Sequence, residues 1–366
     1  QDAAAWRALT ARLPAYLDED GLASYFPPRA GETHSGSDVL TAHLLAAADE
    51  AAALDPAMAL PDAVRAPMEQ ALVAFVEGRL QRKFWSPRED LPVRKLAAIA
   101  ALARGGKAQA RMLSAITIAP NQWPTHAVLD WLAILRRVPG IARQPERLQE
   151  AEQILRSRLN YQGTRVGFST EQQDAWWWLM QGSDVNAARL LLWAIDEPAW
   201  QAELPRLVTG FIARQQGGAW STTTANLWGG LALRRFSAKF ESTPVAGRTE
   251  AQLHGETGRI DWAKVVRVQP GDAAGAPHGA SQWGAPSAPG MLTGNTLLLA
   301  WPQGGAGTLT VTHQGSGKPW LTVQSLAAVP RSAPLAAGYR VRRSVAPVEQ
   351  ADKGLPPGQY SRGDVL

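Results

Sequence analysis

The stretch Gln215-Gln216-Gly217-Gly218-Ala219-Trp220-Ser221-Thr222-Thr223-Thr224-Ala225-Asn226-Leu227-Trp228 decides how the whole chain is read. Two adjacent glycines give the backbone freedom for a tight turn between helices. Ser221, or a threonine after it, can then accept the first free N–H groups of the next helix. Beyond that cap, Trp228, Leu231, Ala232 and Phe236 recur at helical spacing and give the helix a buried face. The segment therefore predicts the bend of a helical hairpin, and these residues carry no binding role of their own.

Upstream of this bend, helical periodicity runs through residues 1–240. Ser37-Asp38 can cap a helix bearing Leu40, Leu44, Leu45 and Ala48 on one face. Pro92 opens a segment through Leu96, Ile99 and Leu102 that stops at Gly105-Gly106. Pro124 opens another, with Val128, Trp131, Leu132 and Leu135 in phase, closed by Pro139-Gly140. Further helices are expected over 145–160, 171–181, 184–196, 199–216 and 222–240. About ten short amphipathic helices joined by tight turns imply helix pairs stacked side by side, as an open solenoid or a closed α/α toroid.

Downstream of Glu241 the texture changes to Gly, Pro, Ser and Thr with short alternating runs. Strands are expected around Trp262, Val265, Val266 and Val268, then over Thr296–Trp301, Thr308–Thr312 and Trp320–Leu326. Residues 270–290 read as an exposed connection. A new segment begins after Pro334 with Gly338-Tyr339-Arg340-Val341. The chain stops at Leu366 without a closing element, as a piece of a longer protein would. The expected organisation is multidomain, α then β: a helical α/α toroid over 1–240, a β-sandwich segment over 241–333, and an incomplete β domain over 334–366.

At 366 residues the chain exceeds one ordinary core, and 45% hydrophobic with 19% charged residues is a globular balance. Cysteine is absent, which excludes disulfides, thiolate metal sites and any cysteine nucleophile or thioester within these residues. The net charge of +5 is scattered: Arg136-Arg137, Arg234-Arg235 and Arg342-Arg343 are doublets rather than a tract, so a nucleic-acid partner is not expected. No apolar run is long enough for a bilayer span, and Gln1-Asp2-Ala3 carries no leader signature; no membrane contact is expected of this chain.

Candidate chemistry is thin. Gly315-Ser316-Gly317-Lys318 lacks the flanking residues of a phosphate loop, since Thr312 stands where its first Gly belongs and Pro319 follows the Lys; it reads as a turn between strands. His34, His43, His126, His254, His278 and His313 show no paired metal-ligand spacing, and no Gly-x-Ser-x-Gly elbow occurs. Among acid groupings such as Asp18-Glu19-Asp20, Asp49-Glu50 and Glu89-Asp90, the pair Glu171 and Asp174 stands out. A helix would place them one turn apart, beside Trp176-Trp177-Trp178. A polysaccharide-active toroid enzyme would use such a pair across a sugar site. The plainer expectation is a first-turn acid on a helix dipole, followed by core aromatics. Fifteen tryptophans against seven phenylalanines is unusual, and Trp131, Trp228 and the central ring Trp177 look like plugs between helices. Three consecutive rings point about 100° apart on a helix, so at least one must be exposed or meet another domain. The expectation is a non-enzyme with no catalytic, cofactor or metal site.

The bend at 215–228 resembles the last helical hairpin of the thioester domain in bacterial α2-macroglobulins, where a Gly-rich turn and Trp precede Thr-Thr-x-Asn. Trp177-Trp178-Leu179-Met180 with Ser183-Asp184-Val185-Asn186-Ala187 resembles the hairpin before it. Gly307-Thr308-Leu309-Thr310-Val311 and Gly338-Tyr339-Arg340-Val341-Arg342-Arg343 resemble the β region after it. The resemblance covers nearly the whole chain and is strongest over 161–240 and 305–343. It implies a thioester-type helical domain, the C-terminal part of a CUB-type β domain, and the start of a last macroglobulin-like domain. It further implies a periplasmic or cell-envelope inhibitor that traps proteases by rearranging after a bait segment is cut. Other envelope proteins are further implied partners. The thioester motif of such proteins falls upstream of Gln1, and no Cys-x-Glu-Gln occurs here. The missing cysteine is compatible with the bacterial members that lack a thioester. An envelope scaffold module is the remaining alternative.

Overall fold

A computed structural model describes residues 2–27, 35–116, 118–267, 292–300, 307–323, 325, 343–356 and 358–366. Nine α-helices occur among the described residues: α1 Asp2–Thr10, α2 Asp38–Leu54, α3 Asp62–Val76, α4 Leu91–Arg104, α5 Thr125–Arg137, α6 Gln144–Ser157, α7 Ser183–Ala194, α8 Leu204–Ile212 and α9 Thr223–Phe240. Their starts follow the chemistry of their first residues. The Ser37 hydroxyl accepts from the Leu40 N–H at 3.2 Å to cap α2. Pro92 occupies the first turn of α4, where a missing N–H costs nothing. At the deciding bend, Gly217 and Gly218 lie at φ of 61° and 86°, a left-handed pair that L side chains resist. Thr222, not Ser221, caps α9 by accepting from the Ala225 N–H at 3.1 Å.

Helix contacts run α2 to α4, α4 to α5, α5 to α7, α7 to α9, and from α9 back to α2. α3 packs outside α2 and α4, α6 outside α5, and α8 outside α7. One continuous core, including Leu45, Leu72, Leu96, Leu132, Leu191 and Trp228, fills the space between them. Trp131 and Trp228 are buried there as plugs, as expected.

Two sequence expectations fail in the helical part. No helix covers 171–181. An antiparallel hairpin, β1 Leu159–Gln162 with β2 Arg165–Phe168, precedes a turn at Thr170–Asp174 and a single 3-10 turn at Trp177–Leu179. The segment 199–216 is also broken, into a 3-10 turn Pro198–Trp200 and the shorter α8, with Pro205 in the first turn of α8.

The β region contains an antiparallel hairpin the sequence reading missed, β3 Ala246–Leu253 with β4 Glu256–Asp261. His254 and Gly255, both at positive φ, turn it. The predicted strand at Thr308–Thr312 is the front of β7, Leu309–Ser316, which pairs with β3 in the order β4-β3-β7. Near Trp262 a 3-10 turn and the two-residue β5, Val266–Arg267, form, with Val268 outside the described residues; β5 pairs with β6, Leu292–Thr293. Residues 296–300 and 320–323 form no strand. Trp301, the connection at 270–290, and Gly338 to Arg342 lie outside the described residues.

Residues 1–318 make one compact unit and 319–366 a second. In the second, Val348 N–H donates to the Val365 carbonyl at 2.7 Å, and Val365 N–H returns a bond to Glu349. Tyr360 donates to the Val345 carbonyl at 2.9 Å. About half of the molecule is helical, joined to small antiparallel sheets.

Candidate interaction face

The Trp triplet sits in the short connection between the β1–β2 hairpin and α7, and its three rings have three different environments. Trp176 is buried (8% exposed), stacked on Trp178 at 5.1 Å and edge-on to His126. Trp178 donates its indole N–H to Asp90 at 3.0 Å, tying the triplet to the start of α4. Trp177, expected as the plug, is instead 67% exposed. The 3-10 turn rotates it outward, and it meets Trp85, itself 72% exposed, at 6.2 Å. Tyr25, Phe26 and Phe84 are exposed as well, and the Tyr25 hydroxyl reaches the Met180 sulfur at 3.7 Å. The result is an exposed aromatic face on a rigid base. Arg94 forms that base: it grips Asp38 with two bonds, reaches Asp90, and lies 5.3 Å from the Phe84 ring centre.

Glu171 and Asp174 are held by different partners. Asp174 is 2% exposed and accepts from Thr125 N–H at 2.9 Å, Thr125 Oγ1–H at 2.6 Å and Thr170 Oγ1–H at 2.6 Å. It caps α5 from a distant point in the chain, where Pro124 cannot do so itself. Glu171 is half-exposed and ion-paired with Arg214, which also binds Asp184. Asp184 accepts in turn from the N–H and hydroxyl of Ser221. Burial pulls the Asp184 carboxyl upward, but the bonds from Ser221 and Arg214 outweigh it and hold it below the usual carboxylate range.

Neither acid reaches the centre of the helix circuit. There a cavity of about 40 Å³ is lined by Val39, His43, Arg94, His126, Asp130 and Trp228, among others. That space takes a few waters, not a sugar ring. Its acid, Asp130, is paired with Arg189 at 2.5 Å. Burial, then the nearby Arg189, lowers His43 to about 4; the same causes with Arg158 lower His126 to about 3. Both rings are therefore neutral. Neither nitrogen of His126, nor His43 Nε2, has a protein partner among the described residues. No group of three His, Asp or Glu side chains poised for a metal occurs among the described residues, and no described helix is long and apolar enough to cross a membrane.

No family model and no curated protein matches the chain. Among solved structures it is similar to native Escherichia coli α2-macroglobulin spanning domain MG7 to the C-terminus, at 14% identity and a TM-score of 0.48, over 71% of this chain and 38% of that one. Elastase-activated E. coli α2-macroglobulin is similar at 14% identity and a TM-score of 0.44, over 68% of this chain and 21% of that one. Salmonella α2-macroglobulin reacted with methylamine gives 17% and 0.45, over 69% and 16%. The chain thus spans between 16% and 38% of the length of these proteins.

Proposed function

We propose that this chain is part of a bacterial α2-macroglobulin-like protease inhibitor of the cell envelope, acting by conformational change and protein contacts rather than by catalysis. In this reading the helix circuit is an α/α toroid of the thioester-domain type, and the sheet β4-β3-β7 belongs to a CUB-type domain. The observation that carries it is how the resembling segments meet. Ser221, in the bend at 215–228, bonds to Asp184 of the 183–187 segment, and Thr224 donates to the Met180 carbonyl at 3.4 Å. Two stretches recognised separately in sequence thus form one built corner beside the aromatic face. That face is the surface assigned to contact with the rest of the inhibitor or with the trapped protease. Covalent capture is not assigned to these residues, because a cysteine thioester cannot form among them.

The test is limited proteolysis of the full-length protein, followed by gel filtration and mass spectrometry of retained protease. A single cut that compacts the protein and retains the protease supports the trap. A protein that is cut, keeps its shape and retains nothing overturns it. Protein partners captured through the aromatic face without compaction would favour an envelope scaffold, the reading that the exposed Trp85–Trp177 pair also suits.

A further inference from the structure

Beside the central cavity lies a cleft of about 240 Å³ that shares Arg104, Arg189 and Trp228 with it and is lined further by Glu50, Arg136, Arg137, Trp193 and Arg235, all from the later turns of α2, α5, α7 and α9. Its lining includes Arg104, Arg136, Arg137, Arg189 and Arg235. Cations near carbonyl-rich helix ends are expected, since they complement the helix dipoles. The number here exceeds that need and exceeds the acids available. Arg104 and Arg235 share Glu50, Arg235 and Lys239 share Asp196, Arg136 takes Glu197, and Arg189 takes Asp130. Five cations thus share four carboxylates, and Arg137 makes a sixth. Arg137 is left without a carboxylate among the described residues. It donates to the Ala133 carbonyl of its own helix, at 3.4 Å.

The indole rings of Trp193 and Trp228 complete the walls, their N–H groups sealed from solvent and without a partner among the described residues. Arg136 lies over the Trp193 ring, 4.5 Å from its centre, which holds that wall in place. Burial, then the like charge of Arg104 and, against the pull of Glu50, those of Arg235 and Arg136 lower the Arg137 guanidinium to about 10, so a further anion at this point would be stabilising.

We propose that this cleft is a binding site for a small multivalent oxyanion of the phosphate class, held by the guanidinium fork of Arg137 with Arg104 and Arg235 behind it. The fork geometry matches two oxygens of a tetrahedral anion, the surplus of two positive charges selects a di- or trivalent species, and the aliphatic and indole walls limit its size. This site stands independently of the protease-trap reading.

The experiment is isothermal titration of the chain with sodium phosphate and with pyrophosphate at pH 7.5, with sodium chloride holding ionic strength constant. Saturable binding of one anion per chain is expected, with pyrophosphate tighter than phosphate. Arg137→Gln should weaken binding about tenfold or more, and Arg137→Lys, which keeps the charge but loses the fork, should fall between. Arg137 makes no ion pair among the described residues and is crowded by like charges, so Arg137→Gln should fold, with a Tm equal to or above that of the parent without ligand. Should it fail to fold, the parent alone decides: phosphate must raise its Tm above chloride at equal ionic strength. Glycerol phosphate binding as tightly as phosphate would show that the cleft takes an esterified group; weaker binding would restrict it to the free anion. No heat and no Tm rise beyond the chloride control would overturn the site, as would unchanged binding in Arg137→Gln.

Discussion

Asp174 illustrates how one side chain can look catalytic in sequence and prove architectural in the fold. Its carboxylate accepts three hydrogen bonds, two of them from Thr125 at the start of α5. Asp174→Ala is expected to cost about 2 kcal/mol by removing a buried cap, read as a lower urea midpoint. Glu171→Gln should cost less than about 1 kcal/mol, because Arg214 keeps Asp184. Equal losses in the two variants would contradict these separate roles. The buried histidines give a second residue-scale expectation. His43 and His126 titrate near 4 and 3 in the fold, against about 6.5 when unfolded, so the unfolded chain takes up protons first as pH falls. Their contribution is complete above pH 6.5 and is lost as pH falls toward 4, at up to about 1.4 kcal/mol per pH unit for each ring. Acids held low, such as Asp184, act only below that window. Urea midpoints between pH 7.5 and 5 should fall, and His43→Gln should flatten the slope by about half. A flat profile in the parent protein would show that these rings are not neutral and enclosed.

At the scale of elements, the aromatic packing around α9 sets a narrow tolerance. Trp220 stacks on Phe211 at 4.3 Å, and Gly229 of α9 leaves room for both. A Cβ at Gly229 would lie 2.7 Å from the Trp220 ring and 2.9 Å from the Phe211 ring. Gly229→Ala is therefore expected to destabilise the protein by about 1–3 kcal/mol despite the better helix propensity of Ala, with a reduced near-ultraviolet circular dichroism signal. Helices with strong end signals were legible in sequence: Ser37, Pro92 and Thr222 each open one where expected. The segment 171–181 was not. Its acids and aromatics mimic a helix in composition, but Asp174 turns back to Thr125 and Thr170, and that tertiary bonding overrides the local pattern. The hairpin β3–β4 was missed for another reason. Its turn is His254-Gly255, a less familiar pair than Asn-Gly, and its strands are mostly exposed, so the alternation of Thr249, Ala251 and Leu253 is weak.

Across the helical unit, circular closure rests on the packing of α9 against α2, helices separated by most of the helical sequence, and no local pattern announces such a contact. The surplus of arginine in one cleft was equally hidden, since Arg136-Arg137 read only as a doublet until the fold set Arg104 and Arg235 beside it. One ring of the Trp triplet is exposed as expected, but not for the expected reason: the triplet lies at a 3-10 turn rather than on a helix, and the exposed ring is the one expected as a plug. If the aromatic face contacts other parts of an inhibitor, Trp177→Ser should leave the Tm of this chain within a degree or two, since it loses little burial. In the full-length protein the same change should impair compaction after cleavage, seen by gel filtration; normal compaction would remove the face from the mechanism. The packing of α9 on α2 has a mechanical consequence. His43 meets Trp228 edge-on across this contact, and Arg235 reaches Glu50 at 3.0 Å. The first and last helices of the circuit are therefore neighbours, so drawing its two ends apart opens this contact directly, as parting a buckle opens its clasp.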